Sequence, residues 1–184
     1  MAHQVCPWWL GYFLTSPLRR WLSDPADIVA PYVREGMTVL EPGPGMGFFT
    51  LEMARRVGPA GRIVAVDVQP KMLEKLKQRA TKAGIAERVD ARLATSDSLG
   101  IRDLKGIVDF ALVFAVVHEV PSPGNLFMEM TEALRPGALL LLAEPKGHVK
   151  QNLFESELED AAKAGLTVVD RPAIRRSLTA LLKK

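Results

Sequence analysis

Between Val39 and Gly47 the chain reads Val-Leu-Glu-Pro-Gly-Pro-Gly-Met-Gly, a short apolar run that opens directly into three alternate glycines. Glycine tolerates backbone angles closed to other residues, and without a Cβ it lets a ligand approach the main chain. Apolar residues at Leu51, Met53, Ala54 and Val57 follow at helical spacing, so the glycines join a strand to a helix whose first amides lack intrahelical partners. A strand feeding a helix through a tight glycine turn is half of a βαβ unit, which commits the chain to a largely parallel sheet.

The rest of the sequence keeps that alternation. Strands are expected at 38–40, 62–66, 89–93 and 108–113, then a continuous apolar run at 139–143 of the kind found in strands covered on both faces. Gly58-Pro59-Ala60-Gly61 stops the first helix. A second starts at Pro70, presents Met72, Leu73, Leu76 and Ala80 on one face, and is capped by Gly84. A third carries Leu126, Met130 and Leu134 up to Arg135-Pro136-Gly137. The tail offers a helix near 154–164 closed by Gly165, then strands near 166–169 and 178–182. Residues 1–35 form an N-terminal extension, with helix starts at Ser16-Pro17 and Asp24-Pro25, and residues 36–184 form the α/β domain.

Composition excludes several classes. The 184 residues are 48% apolar and 24% charged, ordinary for a globular chain. A lone cysteine, Cys6, rules out an internal disulfide framework and a cysteine-rich metal site, and a reducing, cytoplasmic setting is the simplest expectation. The aromatic patch Trp8-Trp9-Leu10-Gly11-Tyr12-Phe13-Leu14 is too short to span a bilayer and lacks the flanks of a secretion signal. A net charge of +3 is spread over separated pairs, Arg19-Arg20, Arg55-Arg56 and Arg175-Arg176, and not clustered with aromatics, so no nucleic-acid partner is expected. His3, His118 and His148 lack metal-ligand spacing, so no metal site is expected either.

Three acids fall at the ends of the first three strands: Glu41, Asp67 and Asp97. Ligands of open α/β sheets bind outside the carboxyl ends of the strands. A carboxylate at Asp67 suits two ribose hydroxyls through charge-assisted bonds, although it also suits a helix cap. A dinucleotide fingerprint, G-x-G-x-x-G, counted from Gly43 would place its third glycine at 48, which is Phe48. The glycine stands at 47 instead, and Glu41 two residues ahead of the first glycine suits a cationic ligand better than a pyrophosphate.

In these motifs the chain resembles the class I S-adenosylmethionine-dependent methyltransferases, whose first motif reads acid-x-Gly-x-Gly-x-Gly. Pro70-Lys71-Met72-Leu73, 108–114 and Leu134-Arg135-Pro136-Gly137 extend the likeness over 36–184, nearest to small-molecule enzymes of the quinone-biosynthesis and arsenite-methyltransferase kind. The resemblance implies a Rossmann-like sandwich with a seven-stranded, mostly parallel sheet in the order 3-2-1-4-5-7-6. It implies S-adenosylmethionine as cofactor and S-adenosylhomocysteine as product. Glu41 would neighbour the methionine end, Gly43, Gly45 and Gly47 would pass beneath, and Asp67 and Val68 would meet the ribose region. Met72, Asp97 and Ser98 would meet the adenine, and main-chain carbonyls near Phe114 or Ala115 would meet the amino group. No Asn/Asp-Pro-Pro-Tyr/Phe and no Pro-Cys follows the fourth strand, which sets aside the nucleobase classes.

The acceptor is expected to be a small molecule, and neither it nor the oligomeric state is legible. His118, in Val117-His118-Glu119-Val120, titrates near neutrality and is the candidate for taking a proton or orienting an acceptor; a structural histidine bonded to the loop is the alternative. Glu119 reads as solvent-facing. His148 and the N-terminal aromatics could border the pocket, or the aromatics could pack as an arm. Two other functions share parts of this pattern: a non-catalytic S-adenosylmethionine-binding protein and an NAD-type oxidoreductase.

Overall fold

The computed structural model describes residues 24–184, which fall into two units, one up to Ala94 and one from Thr95. The N-terminal aromatics, read as a lid or a packing arm, Cys6 and the helix start at Ser16-Pro17 lie outside the described residues.

In the first unit α1 (Pro25–Val29) begins where Asp24 accepts the Ala26 amide at 2.9 Å, with Pro25 in the first turn. Strand β1 (Thr38–Pro42), helix α2 (Thr50–Arg56), strand β2 (Arg62–Asp67), helix α3 (Pro70–Lys82) and strand β3 (Val89–Leu93) follow. Strand β2 pairs parallel with β1, from Thr38 opposite Arg62 to Pro42 opposite Val66, and with β3, from Ile63 opposite Val89 to Asp67 opposite Leu93. Val39, Leu40, Ile63, Val64 and Ala65 are wholly buried, as a strand covered on both faces requires. Helix α3 buries the four residues its periodicity selects. It ends in a Schellman motif: the Gly84 amide donates to the Thr81 carbonyl and the Ile85 amide to the Ala80 carbonyl, each at 3.0 Å. Arg55 and Arg56 occupy the last turn of α2, where cations complement the dipole.

The second unit contains β4 (Val108–Phe114), α4 (Pro123–Ala133), β5 (Leu134–Pro145), α5 (Gln151–Lys163), β6 (Thr167–Asp170) and β7 (Ser177–Lys183). Strands β4 and β5 are parallel, whereas β7 runs antiparallel to both β5 and β6. The sheet order is β3-β2-β1-β4-β5-β7-β6, as expected. Helix α5 closes like α3, with Gly165 and Leu166 donating to Ala162 and Ala161 at 3.0 Å.

Several element boundaries differ from the sequence reading, two of them with a clear physical reason. Leu134, assigned there to the helix face, is the first residue of β5 and lies opposite Val108. Pro136 disfavours a helical Arg135, so the chain leaves the helix before it, and the buried Leu134 extends onto the sheet instead. Helix α5 starts at Gln151, three residues ahead of the expected Phe154, because Lys150 is already in the extended cap conformation.

Candidate active site

In the first unit the chemistry gathers at the carboxyl ends of β1 and β2. Gly43, Gly45 and Gly47 have φ of 64°, 54° and 84°, a left-handed backbone that favours glycine. The Gly43 amide donates to the Val66 carbonyl at 2.8 Å, and the Arg79 guanidinium of α3 donates to the Met46 carbonyl, so the loop is tied to both β2 and α3. Gly45 and Gly47 serve different ends. A Cβ at Gly45 would meet no atom within 4 Å, so its bare backbone fronts open space. A Cβ at Gly47 would lie 2.5 Å from Leu76 Cδ1, so that glycine lets α3 pack against the loop.

Glu41 is buried, and Thr50 Oγ1 donates to its Oε2 at 2.5 Å. Burial raises its pKa from 4.5 to about 8, the Thr50 bond pulls it back, and the charge of Asp67 adds to the rise. Asp67 Oδ1 accepts the Gln69 amide at 2.8 Å, which fixes the carboxylate at the entrance to α3. The contact closes an Asx turn just ahead of α3, whose N-cap is Gln69 itself. Val68 is exposed beside it, whereas Met72 is 4% exposed and sits in the core.

In the second unit Asp97 and Ser98 lie on an exposed turn before β4. Glu129 of α4 anchors the turn, accepting from Ser98 Oγ at 3.1 Å and the Leu99 amide at 3.0 Å. The Ser98 amide donates to Thr95 Oγ1 at 3.1 Å. Phe114 closes β4, half-buried.

After Phe114 the chain reverses through Ala115, a non-glycine residue at φ 59°. That turn aims the amides of Val116 and Val117 at Oε1 of Glu144, which accepts them at 3.0 and 2.9 Å. The other oxygen, Oε2, pairs with His118 Nδ1. Glu119 Oε1 lies 3.9 Å from Nε2, the other ring nitrogen. The bond to Glu144 raises the His118 pKa, burial opposes it, and the charges of Glu144, Glu119 and Glu157 reinforce it. The His148 ring stands edge-on to that of His118, centroids 6.1 Å apart. Glu157 of α5 is 3% exposed, and neither carboxyl oxygen has a hydrogen-bond partner among the described residues. Its pKa is pushed up to about 8, first by burial and then by Glu144, with His118 pulling the other way.

Glu144 and Glu157 were given no role in the sequence reading. Each left a trace there. Glu144 ends the apolar run of β5 as Glu41 and Asp67 end β1 and β2, and Glu157 interrupts the apolar face of α5 formed by Phe154, Leu158 and Ala161.

The pattern of a methyltransferase domain family matches residues 33–177. The chain belongs to that family. The methyltransferase chain is 32% identical over 109 residues to the arsenite methyltransferase of Halobacterium salinarum, a match covering 59% of this chain and 27% of the relative. It is 29% identical over 112 residues to the ubiquinone/menaquinone biosynthesis C-methyltransferase UbiE of Hydrogenovibrio crunogenus, covering 61% and 43%. These matches thus span less than half the length of either curated relative. Among solved structures, a SAM-dependent methyltransferase from Aquifex aeolicus superposes with a TM-score of 0.85 at 23% identity, covering 97% of this chain and 98% of that one, which establishes the shared fold.

Proposed function

We propose that this methyltransferase transfers a methyl group from S-adenosylmethionine to a small-molecule acceptor, with His118 on the acceptor side. The observation that carries the cofactor is the buried Glu41 carboxyl behind a bend whose Gly45 backbone fronts open space. A carboxyl buried at such cost, bonded to Thr50 and beside the like charge of Asp67, fits a cationic amino-acid end and does not fit a diphosphate. Glu41 with Gly43, Gly45 and Gly47 would hold the methionine portion, Asp67 and Val68 the ribose, and Met72, Asp97, Ser98 and Phe114 the adenine and amino-group edges. The bound cofactor supplies a methyl group already activated by positive sulfur. What remains for the protein is to orient the acceptor, exclude water and handle any proton the acceptor loses. The arsenite and quinone enzymes named above support a small acceptor. No helix among the described residues is long and apolar enough to cross a membrane.

Calorimetric titration with S-adenosylmethionine and with NADH tests this reading. Binding of the first and not the second is expected, and no binding of S-adenosylmethionine at millimolar concentration refutes it. Asp67→Ala should weaken cofactor binding by roughly 1.5–3 kcal/mol, the range for hydrogen bonds to charged groups. Unchanged affinity in the folded variant removes Asp67 from the site.

A further inference from the structure

Strand β3 is an edge of the sheet: it pairs with β2 on one side and with no strand on the other among the described residues. An uncovered edge offers its main-chain groups to another chain. In a parallel ladder alternate residues turn both main-chain groups toward the same neighbour. The Ala94 amide donates to the Asp67 carbonyl at 3.0 Å, so Arg92 and Asp90, in step with it, face β2. Val89, Ala91 and Leu93 therefore turn theirs outward. The Ala86 carbonyl takes the Val89 amide, which leaves the Val89 carbonyl and both groups of Ala91 and Leu93 along the open edge.

That edge reads Val89-Asp90-Ala91-Arg92-Leu93, and it is self-complementary when laid antiparallel on a copy of itself. About a two-fold axis at Ala91, Val89 stands opposite Leu93 of the second copy, Asp90 opposite Arg92, and Ala91 opposite its own counterpart. Because the axis passes through an outward-facing residue, the two Ala91 residues can exchange hydrogen bonds, and each Leu93 amide can donate to the opposite Val89 carbonyl. Asp90 and Arg92 then fall at the non-hydrogen-bonded positions, where opposed side chains lie closest. Within one chain Arg92 Nε and Nη2 both donate to Asp90 Oδ2, at 2.9 and 2.7 Å. Oδ1 of Asp90 accepts no bond among the described residues, so each carboxylate keeps an oxygen for a second guanidinium. Leu93 is 60% exposed at the end of the strand and gains an apolar neighbour in the opposite Val89.

Other registers lack this match. An axis at Leu93 sets Arg92 against Ala94 and Asp90 against Ser96, and an axis at Val89 requires the turn Ala86–Arg88 to extend. Parallel self-pairing sets like charges side by side. The opposite edge strand, β6, reads Thr-Val-Val-Asp, an acid with no base to answer it.

We propose that β3 is a self-association surface whose partner is a second copy of this chain, joined antiparallel about a two-fold axis at Ala91. Such an isologous contact closes on itself, so assembly stops at the dimer and both β3 edges are covered. Main-chain bonds and the apolar ends hold the strands together, and the alternating charges select the register and exclude other partners.

Sedimentation velocity on the full chain and its charge variants tests this. The parent should sediment as a dimer at submillimolar concentration. Asp90→Arg and Arg92→Asp each place like charges opposite one another, so each alone should be monomeric or dimerise at least tenfold more weakly. An equimolar mixture of the two should recover the dimer, because each supplies the sign the other lacks. That recovery separates a contact between copies from the pair within one strand, which both variants have lost. Amide exchange by NMR on the unmodified protein provides a readout that needs no variant. Protection of Ala91 and Leu93 should rise at least tenfold from dilute to concentrated samples, while that of Asp90 and Arg92, already bonded to β2, changes less than threefold. A parent that is monomeric at submillimolar concentration overturns the inference. So does a dimer that both single variants leave intact, a mixture that stays monomeric, or Ala91 and Leu93 protection that ignores concentration.

Discussion

Glu41 and Asp67 close adjacent strands, and each is held by the chain that follows it, Glu41 by Thr50 and Asp67 by the Gln69 amide. Their difference is burial and charge state. With a pKa of about 8, Glu41 is protonated at neutral pH, and a cationic ligand favours its ionised form. Cofactor binding should therefore release a proton at pH 7, and affinity should rise as the pH approaches 8. Calorimetry in buffers of different ionisation enthalpy measures this; an equal heat in all of them counts against it. Glu41→Gln should abolish the release. At Gly47, alanine combines a left-handed φ with a 2.5 Å approach to Leu76. Gly47→Ala should lose roughly 1–3 kcal/mol of stability in denaturant unfolding, the usual cost of overpacking. The glycines and the two carboxylates were legible in sequence because strand ends and turns are local features. The division of labour between Gly45 and Gly47 was not, since it depends on where Leu76 of α3 comes to rest.

At the scale of elements, α3 and α5 each end at a glycine whose left-handed turn lets two carbonyls be satisfied, and both ends were marked in sequence by Gly84 and Gly165. The start of β5 was not, because a helical period and a buried strand both select Leu134, and only pairing opposite Val108 separates them. Helix α5 buries the Glu157 carboxyl without a hydrogen-bond partner among the described residues. Replacing it by an apolar side chain of similar length removes a buried polar group, so Glu157→Met should raise the unfolding free energy at neutral pH by roughly 1–3 kcal/mol. A destabilised variant in urea unfolding would show that the carboxyl has a partner at that site.

Across the whole molecule Glu41, Glu157 and His118 all have pKa values raised on folding. The folded state binds more protons than the unfolded chain, so their contribution is complete below the unfolded values, 4.5 for the two acids and 6.5 for His118. It is lost as the pH rises through the folded values, about 8 for the acids. The melting temperature of the ligand-free protein should fall as the pH climbs through that window. A melting temperature that rises through the same window contradicts it. The sequence alone determined the strand–helix alternation, the glycine bend and the acids at the ends of β1 and β2, because periodicity and turn chemistry are written within a few residues. Only the tertiary structure decided that Glu144 meets His118. Glu144 lies 26 positions beyond it, and what joins them is the pairing of β5 with β4, which no local pattern encodes.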